Sequence, residues 1–174
     1  MSSEFDAMPA YDEKSGELVD GGGEDYVLIS AEALRRINRE EEAMLGSGSF
    51  VIWYNAGKAV GRTDGRRYAE LMGTMEIQAV ADYLRETYTR RGWGEVKFGG
   101  IDLTSGVLLF SVRNSPLARG ITAKEPRCWF VRGFVEGLTS ELLGTECIAA
   151  EVACQTVNGR QCEFRLRWET DARK

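Results

Sequence analysis

Four side chains in the last third of the sequence, Cys128, Glu151, Cys154 and Cys162, have the types and spacing to hold a metal ion. Thiolates and a carboxylate are donors that zinc accepts. Four protein donors would close its tetrahedral shell, as in a structural ion rather than a catalytic one. Cys154 and Cys162 flank what reads as a hairpin turn, so folding would bring them together. Cys128 falls in the first turn of a helix, where free N–H groups and the helix dipole favour a thiolate. Glu151 stands three residues before Cys154 and can supply an oxygen. Strict alternation puts these two on opposite strand faces, so the site requires a bulge or the end of the strand between them. The same cysteines also suit an apolar core, because Cys-x7-Cys is not a specific zinc signature. Spacing alone leaves both readings open. Cys147 reads as a packed core residue.

The 174-residue chain contains no histidine. That removes histidine acid–base catalysis, the Ser-His and Cys-His nucleophile systems and a proximal histidine for haem. The net charge of −5 opposes a nucleic-acid partner, which calls for a basic face. No run of apolar residues is long enough to span a bilayer, and the N-terminus lacks the apolar stretch of a signal peptide. A cytoplasmic location, with reduced cysteines, is the expectation. The glycines between Gly57 and Gly65 are not spaced as a phosphate loop, and no dinucleotide-binding glycine motif follows a strand. Both absences disfavour an enzyme that uses a nucleotide or a hydride donor.

The elements that must position these residues read as helices first, then strand–strand–helix–strand–strand. Residues 1–25 are expected to be a flexible segment, with Met8–Tyr11 and Glu17–Val19 as a candidate hairpin, and residues 26–174 the domain. A short strand is expected at Tyr26–Ile29. A helix follows from Ala31 to Leu45, with Leu34, Ile37, Met44 and Leu45 on one side, and a second covers Ser49–Met72. The clearest amphipathic helix runs from Met75 to Arg91, with Ile77, Val80, Ala81, Leu84 and Tyr88 as its stripe. Strands at Glu95–Ile101 and Gly106–Arg113 precede a helix over Arg127–Leu143, whose Gly133 and Gly137 permit close packing on a neighbour. A hairpin of Glu146–Cys154 and Gln161–Trp168 closes the chain, turning at Asn158-Gly159. This order implies an α+β fold, an antiparallel sheet packed with helices.

From Arg127 to Trp168 the sequence resembles a 4-vinyl reductase domain. The likeness is carried by Cys128-Trp129-Phe130-Val131-Arg132-Gly133-Phe134-Val135-Glu136-Gly137, Gly144, Glu151-Val152-Ala153-Cys154, Gly159 and Cys162-Glu163-Phe164. Weaker similarity reaches back through Tyr54-Asn55-Ala56-Gly57-Lys58. In the zinc-bearing branch of that family, typified by phenol-sensing transcription regulators, a cysteine opens the helix and a Glu-x2-Cys-x7-Cys motif follows. The resemblance therefore implies Zn2+ held by Cys128, Glu151, Cys154 and Cys162. It also implies the sandwich fold of Golgi-trafficking subunits and NO-sensing haem domains, a hydrophobic ligand between helices and sheet, and a homodimer. Trp53, Val107, Leu109 and Ala149 are the candidate pocket liners, since Phe50–Tyr54 and Val107–Ser111 offer more apolar surface than one helix face needs. The phenol sensors use a histidine and a tryptophan to hold the phenol hydroxyl; this sequence departs from them in having no histidine.

The function expected from these features is a zinc-stabilised domain that senses or carries a small hydrophobic molecule. Two alternatives come from other classes: an accessory, carrier or reductase in tetrapyrrole biosynthesis, and a purely structural interaction domain. No output domain such as an ATPase is legible, so signalling would run through a separate partner.

Overall fold

In the computed structural model, residues 8–73 and 77–170 are described. The chain runs β1 (Ala10–Asp12), β2 (Glu17–Val19), β3 (Asp25–Tyr26), α1 (Ala31–Leu45), α2 (Gly48–Met72), α3 (Ile77–Arg90), β4 (Glu95–Asp102), β5 (Val107–Arg113), α4 (Trp129–Leu143), β6 (Cys147–Ala153), α5 (Gln155–Asn158) and β7 (Gln161–Trp168). The last four strands form an antiparallel sheet in the order β4-β5-β7-β6, and β1–β3 form a small separate one. One face of the larger sheet carries Leu108, Phe110 and Val112 of β5 opposite Leu166, Phe164 and Cys162 of β7, all buried beneath the helices. The result is the α+β arrangement expected, with a core formed by the helices on one sheet face.

Helix α4 lies at the centre. Its stripe of Val131, Phe134, Val135 and Leu138 is buried, but so are Gly133, Glu136 and Gly137 on the other side. That second side meets α2 backbone to backbone. A Cβ added at Gly57 or Gly61 would lie under 3.0 Å from the Phe130 or Phe134 carbonyl oxygen, and one at Gly133 or Gly137 would meet the Tyr54 or Lys58 carbonyl as closely. Two glycine rows at i,i+4 spacing thus let the helices approach more closely than side chains would permit. The strip at Gly133 and Gly137 is legible in the sequence; its partner row on α2 was considered there only as a phosphate loop.

Where the helices touch, Glu136 joins three elements. Its carboxylate accepts from Lys58 Nζ at 2.8 Å, from the Tyr54 hydroxyl, and from the Ala149 backbone N–H at 2.9 Å. Arg132 Nε donates to the Ala149 carbonyl oxygen at 2.8 Å. Burial alone would push the Glu136 carboxyl up, but the Ala149 N–H, Lys58 and Tyr54 outweigh it and hold it below its ordinary range.

A second buried carboxylate ties the N-terminal sheet to the helices. Asp20 accepts from the backbone N–H of Gly22 and Glu24, from the Tyr26 hydroxyl, and from Arg67 of α2 and Arg91 just past α3. So the expected hairpin is present as β1 and β2, and the segment 8–25 is anchored at Asp20. Burial pushes this carboxyl up, but Arg67, the Glu24 N–H and Tyr26 together hold it low.

Two expectations need correction. Helix α1 has the expected bounds yet buries no residue, with Met44 82% and Ile37 49% exposed. Its contacts are polar instead: Arg35 donates to the Pro116 carbonyl at 2.8 Å, and Glu42 pairs with Arg127. The strand expected at Tyr26–Ile29 ends at Tyr26, and Val27 and Leu28 stand exposed because β3 finds a partner in β2 for only two residues. Met75, the expected first residue of α3, lies outside the described residues; Val80, Ala81, Leu84 and Tyr88 of its stripe are buried.

Gly133→Ala is expected to destabilise the protein by about 1–3 kcal/mol or more in urea unfolding, since the carbonyl it meets belongs to a rigid helix. A pH series should show a second effect. Because the folded-state Asp20 carboxyl is depressed, its contribution is present above the ordinary carboxylate range and is lost as pH falls through it. Asp20→Asn should be less stable at neutral pH and should flatten that acid-side loss.

Candidate metal centre and apolar cavity

Chain geometry brings the four expected donors to one place. Strand β7 presents Cys162 on its inner face beside Phe164 and Leu166. In β6 the register shifts between Glu151 and Ala153, and the strand ends there, leaving Cys154 as the residue before the one-turn α5. This irregularity allows Glu151 and Cys154 to face the same side. Gly159, at φ +75, closes α5 in the left-handed region and returns the chain to β7. Cys128 is the N-cap of α4 and its side chain makes no capping bond, so the sulfur turns inward.

One ligand atom from each of Cys128, Glu151, Cys154 and Cys162 lies within 4.8 Å of all the others. Cys128 Sγ is 3.7 Å from Cys154 Sγ and 2.9 Å from Cys162 Sγ. Sulfurs at about 2.3 Å around a tetrahedral zinc stand about 3.8 Å apart, so the first spacing fits and the second needs a small opening. The three cysteines are buried, and Glu151 Oε1 is buried without a hydrogen-bond partner among the described residues. An orphaned carboxylate oxygen facing three sulfurs is what an absent cation would leave. The surrounding backbone supports thiolates: Arg127 N–H donates to Cys154 Sγ and Gln155 N–H to Cys162 Sγ, each at 3.5 Å, and Thr156 Oγ1 is 3.0 Å from Cys154 Sγ.

Without an ion the four acids compete for charge. Hydrogen bonds from Cys128 and Cys162 hold the Cys154 thiol low, as the one thiolate of the group. Its partners go the other way. Cys128 is pushed far up by its bonds to Cys154 and Cys162 and by burial. Cys162 is drawn down by Cys128 but pushed up further by Cys154 and burial, to about 12. Burial, then Cys154, raises the Glu151 carboxyl. Such a cluster can bind a metal ion, and all four positions are filled by protein. Cys147 takes no part: it is buried, and burial raises its thiol to about 11.

The expected pocket liners do not share a cavity. Val107 and Leu109 point to the outer sheet face, where Leu109 is 43% exposed, because Leu108, Phe110 and Val112 take the inner face. Trp53 packs edge-on against Phe130 with centroids 6.0 Å apart. Ala149 is fully buried, held at both backbone groups by α4. The open space lies instead between α3, α4 and the inner sheet face. One cavity of about 30 Å3 is bounded by Val80, Leu84, Ile101 and Leu108, and another of about 20 Å3 by Tyr88, Trp93, Phe110 and Val131; Phe98 and Leu138 border both. Both apolar faces of β5 were visible in its alternation, but only the helices decide which one they cover.

Residues 108–168 match the family model of the vinyl-4-reductase domain. No curated protein sequence matches the chain. Among solved structures, the chain is similar to the phenol-responsive sensory domain of the transcription activator PoxR, solved with phenol. The TM-score there is 0.77 at 20% identity, over 92% of this chain and 85% of that one. It is also similar to a trafficking protein particle complex subunit 3 from Naegleria fowleri, covalently bound to palmitic acid, with a TM-score of 0.58 at 13% identity over 80% of this chain and 95% of that one. An H-NOX mutant aligns with a TM-score of 0.55 at 13% identity, over 87% of this chain and 80% of that one. These likenesses establish the fold shared by phenol-sensing, trafficking and H-NOX domains. Among the described residues no helix is long and apolar enough to cross a membrane.

The proton arrangement of the metal-free cluster gives a measurable consequence. At neutral pH, Cys128, Cys162 and Glu151 hold protons, so uptake of a divalent ion is expected to release about three protons per ion, and affinity should rise with pH. A pH indicator in weakly buffered zinc titrations reads both.

Proposed function

From a vinyl-4-reductase-type segment set in the fold of a phenol-sensing domain, we infer that this chain is a zinc-stabilised, non-enzymatic module that senses or carries a small hydrophobic molecule. The observation that carries the zinc reading is the buried, unpartnered Glu151 oxygen facing three buried sulfurs within 4.8 Å. Cys128, Glu151, Cys154 and Cys162 would hold Zn2+. Bound there, the ion supplies cohesion and no Lewis-acid catalysis, because no position is left for substrate or water. It fastens the start of α4 to the β6–β7 hairpin, and α4 is one wall of the apolar cavities.

Several features support the rest of the reading. The cavities lie where a small hydrophobic ligand would be enclosed between helices and sheet, and one of the similar folds described above belongs to a sensory domain solved with phenol. Spaces of this size suit a single small molecule better than a tetrapyrrole. The apolar side of α1 and the exposed Phe50, Val51 and Ile52 at the start of α2 offer a surface for a second copy of the chain, favouring a homodimer. A cytoplasmic location would keep the cysteines reduced. Output would pass to a separate signalling partner.

Elemental analysis of the purified protein is expected to find one zinc per chain. Cys154→Ala should lose it and destabilise the fold by about 3 kcal/mol or more, a Tm drop on the order of 10 °C by calorimetry. A zinc-free Cys154→Ala protein as stable as the parent would refute the structural role.

A further inference from the structure

The walls of the two cavities are almost wholly carbon. Val80, Leu84, Ile101 and Leu108 bring aliphatic side chains to the larger one. In the smaller one Trp93 stacks on Phe134 at 6.0 Å with planes 10° apart, and Tyr88 meets Phe134 edge-on at 5.1 Å. The nearest hydroxyl that could serve a polar ligand, that of Tyr88, is already given to Asp64 Oδ2 at 2.7 Å. With no histidine in the chain, no imidazole can take its place. A ligand hydroxyl buried here would lose its water and gain nothing in return.

Size adds a second constraint. The spaces of about 30 and 20 Å3 fall short of the roughly 150 Å3 at which a dry apolar cavity accepts benzene. They are neighbours divided by Phe98 and Leu138. Leu138 is 2% exposed on the central helix and has nowhere to go. Phe98 is only partly buried, on the edge strand β4, immediately before the register shift that spans Gly99 and Gly100. It leans edge-on against Phe110 with centroids 5.2 Å apart and can rotate without moving a helix.

The geometry points to an unfunctionalised single-ring hydrocarbon as the ligand of this cavity, admitted when Phe98 swings aside and joins the two spaces. This rests on the reading of the chain as a small-molecule-binding module. Toluene and phenol are close in size and differ by a methyl for a hydroxyl, so they separate the two possibilities. Titrated calorimetrically into the zinc-loaded protein, toluene is expected to bind at least about tenfold more tightly than phenol. Phenol binding as tightly as toluene, or more so, would overturn the hydrocarbon assignment and leave the binding module standing. If neither ring binds, both fall. Phe98→Ala, with Phe98→Leu as the milder variant, should admit naphthalene about tenfold more tightly while keeping its zinc. Unchanged or weaker naphthalene binding in both variants would overturn the role of Phe98.

Discussion

The backbone contact between α2 and α4 is the constraint on which the rest of the fold depends. At Gly57, Gly61, Gly133 and Gly137 each helix presents bare backbone to the other. The closeness has two consequences. It makes α4 a helix buried on nearly all sides, so that its other side can fill the concave sheet face with Val131, Phe134 and Leu138. It also brings Tyr54 and Lys58 within reach of Glu136, turning a buried charge that would be costly alone into a satisfied junction of two helices and a strand. A wider separation would leave that carboxylate without its cation.

The metal cluster and the glycine contact hold different parts of the same helix. Cys128 fixes its first residue to the β6–β7 hairpin, and the glycines fix its middle to α2. The apolar cavities lie along the side that neither restrains, bordered by α3 and the edge strand β4. Rigidity on one side and adjustable side chains on the other is a sensible division for a binding domain, where one wall must yield while its frame does not.

Local spacing made some of this legible and left the rest hidden. The donor set, the need for an irregularity between Glu151 and Cys154, the span of β7 and the buried stripe of α3 all follow from residues close together in the chain. The pairing of Gly57 with α4 does not, because a glycine row is meaningful only once its partner helix is known. Nor does the side of β5 that turns inward: Leu108 and Leu109 are equally apolar, and the helices alone break the tie. The amphipathic pattern of α1 misled for a related reason, since periodicity shows that a face is apolar without showing what covers it. Asp20 was invisible because its partners, Arg67 and Arg91, come from two later helical regions.

The engagement of Ala149 by α4 reaches beyond the interior. Strand β6 is one margin of the four-stranded sheet, and an unoccupied margin is a template on which another polypeptide can add itself. With its outward N–H and carbonyl taken by Glu136 and Arg132, β6 offers no such template at that point. Any sheet extension would have to begin at β4, where the irregularity after Phe98 interrupts the run of free backbone groups. The domain is thereby guarded against fibrous self-association at both margins, by a helix on one side and by a break in pleating on the other.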